Sequence, residues 1–290
     1  MKLRLLALCL GLASPASAAT PTEAAIALYQ AKQFSAARAA LEKITAAEPG
    51  NAAACFYLGH TLRLRGDAAS YEEAVKWLEQ ATHLEPTNAA YLADYGGTSM
   101  EFAGKIKATS KLKALSAATT GRDAMERALI LDPGNLDART GLLQFYSQAP
   151  WPIGSSAKAY AQAEEIRKRN ATRGLLAFVT LKVGERKYSE AFALSEAFLS
   201  SQPASYVALH QLGRTAAISG QNIERGIAAL QQCLSLTPPP NYPTHAGVQY
   251  RLGTLFERKG DLPAARAAYE AALKLEPGNQ SAAGALAKLR

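Results

Sequence analysis

Small and large apolar residues recur along this chain in a fixed order, interrupted by short polar turns. The clearest copy of the pattern lies near the end and consists of Leu252, Gly253, Phe256, Gly260, Asp261, Ala265, Tyr269, Ala272 and Pro277. The Gly-Asp pair is a turn signal between two segments with helical apolar patterning. The pattern therefore predicts a hairpin of two helices joined by a short turn.

A four-residue phrase closes each unit and makes the period visible. It reads Glu48-Pro49-Gly50-Asn51, Glu85-Pro86-Thr87-Asn88, Asp132-Pro133-Gly134-Asn135 and Glu276-Pro277-Gly278-Asn279. Looser versions end at Pro203 and Pro238, and Asn170 stands where another is expected. Proline ends a helix because it lacks an amide donor and clashes with the preceding turn. The residues after it supply turn chemistry and a cap for the next helix.

Each position of the unit has a predicted packing role. Gly59, Gly213 and Gly253 allow the two helices of a hairpin to approach closely. Small residues do the same from the second helix, at Ala37, Ala74, Ala191 and Ala265. Larger residues are predicted to fill the layer toward the next hairpin, at Leu41, Leu78, Leu230 and Tyr269.

The repeated unit resembles the tetratricopeptide repeat, a 34-residue helix–turn–helix. The resemblance covers residues 19–290 and implies an all-α fold, a right-handed α-solenoid of about seven hairpins with a short C-terminal capping helix. The units are predicted at 20–50, 51–87, 88–134, 135–171, 172–204, 205–239 and 245–278, with the cap at 280–290. Extra residues are predicted in the turn of the second unit, at 68–70, and in an insertion that lengthens both helices of the third, at 104–113.

Composition supports this fold class. About one residue in five is alanine, the strongest helix former, and aromatic residues make up only 8%. Both values disfavour sheet-rich folds. Because a solenoid is one elongated array, the length of 290 residues does not indicate two globular domains.

Residues 1–18 have the pattern of a secretory signal peptide. Lys2 and Arg4 precede an apolar segment, and Ala16-Ser17-Ala18 supplies small residues for cleavage before Ala19. The segment is too short to span a bilayer. We therefore expect an exported protein, with a bacterial periplasm as its compartment. Residues 137–163 also resemble a group of exported bacterial repeat proteins without an assigned activity.

Cleavage would lower the formal net charge from +8 to +6 and leave two cysteines, Cys55 and Cys233. Both fall at helix packing positions and are predicted to be buried thiols that do not pair with each other. A basic exported protein does not ordinarily meet nucleic acid. Its charge favours acidic proteins, anionic polymers or lipid headgroups as partners.

No catalytic constellation stands out in the sequence. The four histidines are scattered, and the zinc-binding His-Glu-x-x-His pattern, the nucleophile elbow, the phosphate loop and the dinucleotide fingerprint are all missing. We therefore predict a protein that is not an enzyme and needs no cofactor or metal.

Binding is predicted in the concave groove. The resemblance implies that the first helices of successive hairpins line a groove that holds a peptide or an extended segment. The residues placed there are Tyr29, Phe56, His60, Arg63, Asp137, Gln144, Gln148, Arg173, His210, Arg214, Tyr250 and Arg258. Arginine forks bind carboxylates, and aromatic rings cover the aliphatic parts of a peptide. The leading hypothesis is a scaffold or adaptor for a protein or peptide, with a preference for acidic segments.

A second hypothesis places binding on the insertion. Lys105, Lys107, Lys111 and Lys113 form a positive run without an acidic residue, which would attract an anionic envelope polymer or lipid. A solvated helix face is the simpler interpretation of this run.

Two loops depart from the repeat. Trp151 and Ile153 are apolar residues in a loop rich in proline, and we expect them to pack on a neighbouring hairpin rather than to meet a partner. The proline-rich segment 237–243 is predicted to be a spacer between the sixth and seventh units.

Overall fold

The computed structural model describes residues 19–150 and 152–289 of the chain. The predicted signal peptide and Trp151 lie outside the described residues. The described part contains fifteen helices and no strand. The helices are α1 (Pro21–Gln30), α2 (Phe34–Ala47), α3 (Ala52–Arg63), α4 (Ala68–Leu84), α5 (Ala89–Ile106), α6 (Lys111–Leu131), α7 (Leu136–Gln148), α8 (Ser156–Arg169), α9 (Ala171–Gly184), α10 (Tyr188–Ser201), α11 (Tyr206–Ser219), α12 (Ile223–Leu234), α13 (His245–Lys259), α14 (Leu262–Leu275) and α15 (Gln280–Lys288).

Consecutive helices pack as seven hairpins, from α1 with α2 to α13 with α14, and α15 packs on α14. The second helix of each hairpin also packs on the first helix of the next one. First helices of neighbouring hairpins contact each other as well, as in α5 with α7 and α11 with α13. This arrangement is an all-α solenoid and confirms the predicted fold class.

The asparagine of the closing phrase starts the following helix, as predicted. The Asn51 side chain accepts a hydrogen bond from the amide of Ala54 at 3.0 Å, and Asn135 accepts one from Ala138 at 2.9 Å. Asn170, which stands alone in the sequence, caps α9 in the same way through the amide of Arg173. Such caps each contribute roughly 1 kcal/mol, so the phrase both ends one helix and stabilises the next.

The glycines lie where the two helices of a hairpin touch. A Cβ atom on Gly59 would come within 2.7 Å of Leu78 Cγ, and one on Gly213 or Gly253 would come closer still to Leu230 or Tyr269. The large residue of the second helix therefore fills the space opposite the glycine of its own hairpin. The prediction that these residues fill the layer toward the next hairpin was incomplete, because they also pack inside their own hairpin. Leu78 does both, since it shares an apolar cluster with Tyr95 of the next hairpin.

The insertion in the third hairpin lengthens both of its helices, as predicted, because α5 has 18 residues and α6 has 21. The placement of 68–70 in a turn was wrong. These residues form the first turn of α4, where Asp67 accepts a hydrogen bond from the amide of Ser70 at 2.9 Å.

Cys55 and Cys233 are buried free thiols, as predicted. Burial raises the pKa of both thiols, to about 12 for Cys233. Among the helices described, none combines the length and the apolar character that crossing a membrane requires.

Candidate binding groove

Two adjoining cavities open along the first helices of the third to fifth hairpins. One has a volume of about 690 Å³ and the other about 770 Å³. Asp137, Thr140, Gln144 and Arg173 line both of them, so the two cavities form one continuous depression. We call this depression the central groove.

An ion pair marks the boundary between the two cavities. Arg173 Nη2 at the start of α9 donates to Asp137 Oδ1 on α7 at 2.6 Å. The same nitrogen lies within hydrogen-bond distance of Thr140 Oγ1 at 3.1 Å and the carbonyl oxygen of Leu136 at 3.2 Å. The guanidinium is therefore held by α7, and its charge is balanced within the protein. Arg173 is consequently not a free positive charge in the groove.

The larger cavity is mainly apolar. Its lining includes Met100, Ala118 and Met125 from the third hairpin and Phe145 from the fourth. Gly97 also lines it, and a Cβ atom on this glycine would lie 3.7 Å from Met125, an ordinary contact distance. Lys107 and Lys111 belong to the same lining and add positive charge, which Glu101 in that lining offsets in part. This cavity suits an apolar side chain next to an acidic group.

The smaller cavity carries more hydrogen-bonding groups. Thr140, Gln144, Asn170, Thr172 and Thr180 line it. These amide and hydroxyl groups can donate and accept hydrogen bonds. The cavity therefore suits the backbone and polar side chains of an extended segment.

The proline-rich link supplies one side of the smaller cavity. Pro240, Asn241 and Tyr242 line it together with residues of α7 and α9. The Tyr206 hydroxyl on α11 donates to the carbonyl oxygen of Pro243 at 2.6 Å and ties the link to the sixth hairpin. The prediction that 237–243 is only a spacer was therefore incomplete. The signal in the sequence was an aromatic residue between prolines, at Tyr242.

Three of the predicted groove residues lie in a separate aromatic cluster at the first hairpins. Phe56 stacks on Tyr91 with ring centroids 4.4 Å apart, and the centroid of His60 lies 4.5 Å from that of Phe56. Tyr29 contacts His60 edge-on at 6.1 Å. These half-buried rings pack on one another across α1, α3 and α5. Close by, Arg63 Nη1 donates to Thr98 Oγ1 at 3.3 Å.

The predicted groove residues of the last two hairpins are also separate from the central groove. His210 is buried, with 2% of its surface exposed, and Arg214 is half-buried. Tyr250 packs on Tyr269 with ring centroids 5.8 Å apart, and Arg258 is exposed. The sequence prediction missed Arg251, which lies half-buried on α13 and, like His210, is affected by the charge of Arg214.

Among the predicted groove residues, Asp137, Gln144, Gln148 and Arg173 line the central groove. Gln144 lines both cavities and is exposed, so its amide is available to a ligand.

The four lysines of the insertion do not act as one patch. Lys113 Nζ lies 2.9 Å from Glu72 Oε1, and Lys105 lies over the ring of Tyr71, both contacts reaching back to α4. Lys107 and Lys111 instead line the larger cavity. In the loop before α8, Ile153 packs against an apolar cluster that extends from the third to the fifth hairpin.

Comparison with known proteins agrees with the repeat pattern. A family model described as Tetratricopeptide repeat matches residues 22–89, and a second with the same description matches 246–279. The sequence matches no curated protein significantly.

Solved structures extend the likeness to nearly the whole chain. A tetratricopeptide repeat protein from Parabacteroides merdae has a TM-score of 0.65 at 16% identity, covering 93% of this chain and 96% of that one. The human IFIT1 dimer with PPP-AAAA has a TM-score of 0.56 at 18% identity, and the match covers 93% of this chain and 62% of that one. PilW, a widely conserved type IV pilus biogenesis factor, has a TM-score of 0.52 at 15% identity, and the match covers 81% of this chain and 98% of that one. At these identities the likeness concerns the fold.

Proposed function

We propose that this chain, a tetratricopeptide repeat protein, is an exported, non-catalytic scaffold that binds a segment of a partner protein in the central groove. Repeats of this family generally mediate protein interactions, and the fold generally serves as a scaffold rather than an enzyme. The observation that carries the proposal is the pair of adjoining cavities, which share the Arg173–Asp137 ion pair.

The lining of the groove defines the chemistry of the segment. An apolar side chain would enter the larger cavity, against Met100, Met125 and Phe145. An acidic residue beside it would approach Lys107 and Lys111. The polar groups of the smaller cavity would bind the backbone that follows. We therefore propose an extended segment with an apolar anchor and a neighbouring acidic residue.

Export is part of the proposal. It rests on the signal pattern of residues 1–18 and the small residues that precede Ala19. Expression of the full chain in a Gram-negative bacterium, followed by N-terminal sequencing of the periplasmic protein, tests it. We expect the sequence to begin at Ala19, and an uncleaved cytoplasmic protein would contradict export.

A substitution that fills the larger cavity tests the groove. A Cβ atom on Gly97 meets Met125 at an ordinary contact distance, and the glycine lines the larger cavity, so Gly97→Leu introduces an apolar side chain there and replaces a helical glycine by a better helix former. Gly284→Leu on α15 is the matched control, because a Cβ atom on that glycine would meet no other side chain of the described residues within 4 Å. Both variants and the parent chain, residues 19–290, are immobilised and exposed to envelope extract, and retained proteins are identified by mass spectrometry.

We expect proteins that the parent and Gly284→Leu retain and that Gly97→Leu loses. Peptides tiled along such a protein then identify the bound segment by isothermal titration calorimetry. Equal retention by all three chains would exclude the groove as the binding surface.

A second candidate function is binding of an anionic envelope polymer or lipid through the insertion. Leu112, between Lys111 and Lys113, is 84% exposed, which favours contact with an apolar or interfacial partner. Replacement of Lys105, Lys107, Lys111 and Lys113 by alanine should abolish cosedimentation with anionic vesicles, and salt should weaken it steeply in the parent. Unchanged cosedimentation would reject this function.

A further inference from the structure

A basic cluster without an acidic partner lies between the sixth and seventh hairpins. It consists of His210 and Arg214 on α11 and Arg251 on α13, and we call it the basic cluster. His210 and Arg214 are four residues apart and so lie on one face of α11. Arg251 approaches them from α13, which packs directly on α11. The cluster is separate from the central groove, because none of its residues lines the two cavities.

His210 is buried, Arg214 and Arg251 are half-buried, and the hydrogen-bonding groups of the cluster are largely unused. His210 is 2% exposed and stacks on Tyr206 with an angle of 2° between the ring planes. Both ring nitrogens of His210 and Nε of Arg251 lack a hydrogen-bond partner among the residues described. Arg214 Nη1 has a single long contact, at 3.4 Å to Gln211 Oε1. Buried donors of this kind are costly to leave without a partner.

No carboxylate balances the two guanidinium groups. Helices α9 and α11 contain no aspartate or glutamate at all. The nearby acids of α12 and α13 are engaged elsewhere, since Glu257 accepts a hydrogen bond from Tyr269 and Glu224 lies 3.6 Å from Lys259. Within residues 152–289, neither Arg214 nor Arg251 forms an ion pair.

The titration behaviour agrees with this geometry. Burial lowers the pKa of both Arg214 and Arg251, and the charge of Arg214 lowers the pKa of Arg251 further. Burial, and then the charges of Arg251 and Arg214, lower the pKa of His210 to about 3. His210 is therefore neutral at pH 7, and the cluster carries the two positive charges of its arginines.

We propose that the basic cluster is a binding site for a doubly charged oxyanion of the phosphate type. Two guanidinium groups match such an anion in charge and present several N–H donors to its oxygens. The neutral imidazole of His210 can form one further hydrogen bond, either to an oxygen or from a hydroxyl of the anion. The site is independent of the segment that the central groove binds.

The same phosphate chemistry has two sources, a free ion and a phosphomonoester on a larger molecule. Inorganic phosphate is the probe for the first, and glycerol phosphate is the probe for the second. Binding of each is measured by isothermal titration calorimetry and by urea unfolding, in chloride buffer of matched ionic strength. Stronger binding of one probe identifies the source.

We expect phosphate at ten times its dissociation constant to shift the unfolding equilibrium about elevenfold toward the folded state. Arg214→Gln and Arg251→Gln should each abolish this shift. Arg258→Gln is the matched control, because Arg258 is an exposed arginine of the same helix and lies outside the cluster. The control should keep the full shift.

A second variant separates a binding role from a structural one. Arg251→Leu removes a half-buried charge that has no counter-charge among the described residues, so in phosphate-free buffer the variant should be as stable as the parent or more stable. A structural arginine would instead lose stability when replaced. The proposal is overturned if neither probe shifts the parent, or if both glutamine variants respond to the probes as the parent does.

Discussion

Arginines in the central groove and in the basic cluster have opposite electrostatic surroundings. Arg173 donates to Asp137 at 2.6 Å, and the partner carboxylate is 84% exposed. Arg214 and Arg251 are half-buried and have no carboxylate within reach among the described residues. Water and a counter-charge thus neutralise the first arginine, whereas the other two retain an unbalanced charge. The residue type alone therefore does not show where an anion binds, because the partners and the burial decide it.

Replacing a glycine by alanine should change the free energy of unfolding very differently next to the basic cluster, at Gly213, and in the central groove, at Gly97. A Cβ atom on Gly213 would overlap the side chain of Leu230, whereas on Gly97 it would lie 3.7 Å from Met125. We expect Gly213→Ala to lower the free energy of unfolding by about 1–3 kcal/mol. Gly97→Ala should raise it by about 0.5–1 kcal/mol, through helix propensity. Urea unfolding of both variants measures this, and destabilisation by Gly97→Ala would contradict the open space at the groove.

The buried histidine makes the basic cluster sensitive to acid. The pKa of His210 is about 3 in the folded protein, below the unfolded value of about 6.5, so the unfolded chain takes up the proton first as the pH falls. The contribution of neutral His210 to the free energy of unfolding is therefore fully present above about pH 6.5 and is lost progressively as the pH falls from 6.5 toward 3. Because of this residue, the free energy of unfolding of the parent chain should fall by about 2 kcal/mol between pH 7 and pH 5.

The groups that face His210 are Arg214 and Tyr206 on α11, and Arg251 on α13. His210→Gln should remove the acid-dependent loss, and His83→Gln, at an exposed histidine of α4, should keep it. Unfolding curves at pH 7 and pH 5 for the three chains provide the test. An identical loss in His210→Gln would mean that other groups cause it.

Supplying the missing carboxylate should make the basic cluster resemble the groove. Gln211 is buried, and its Oε1 lies 3.4 Å from Arg214 Nη1, so Gln211→Glu places a carboxylate beside the guanidinium without a change of shape. We expect the free energy of unfolding at pH 7 to rise by about 1–2 kcal/mol. The response to phosphate should fall at the same time. Higher stability with undiminished phosphate binding would show that Arg214 does not bind the anion.

Removing the carboxylate from the groove should have the smallest effect. Asp137→Asn breaks an ion pair whose acid is exposed, so we expect a loss of no more than about 1 kcal/mol, and less at high salt. The variant should bind acidic segments more tightly, because Arg173 loses its internal counter-charge. Calorimetry with a peptide found in the groove experiment compares the two chains, and weaker binding would mean that Asp137 itself contacts the segment.

The repeat pattern predicted local structure well because each signal acts over a few residues. Asn51 and Asn135 cap helices through amides three residues away, and Gly59 meets Leu78 inside one hairpin. The error at 68–70 has the same local origin. The repeat alignment did not take Asp67 into account as an N-cap. Its side chain caps α4, so residues 68–70 form the first turn of that helix.

The candidate site was only partly predictable. Of the residues that the sequence placed on first helices, Asp137, Gln144 and Arg173 line one groove in the structure. It also indicated Tyr29 and His60, which pack on other rings instead. The pattern within one unit does not show how far neighbouring hairpins open, so it could not distinguish a lining residue from a packed one.

Helix boundaries, hairpin pairing and the all-α class follow from periodicity, capping and turn residues in the amino-acid sequence, because these interactions join residues that are close along the chain. Contacts between distant residues arise only when the hairpins stack. Stacking places Tyr242 of the proline-rich link at the groove, pairs Arg173 with Asp137, and brings Arg251 to Arg214 without an acid. Charge balance and burial are properties of those assembled surroundings, and they determine which of the arginines remains available to an anion.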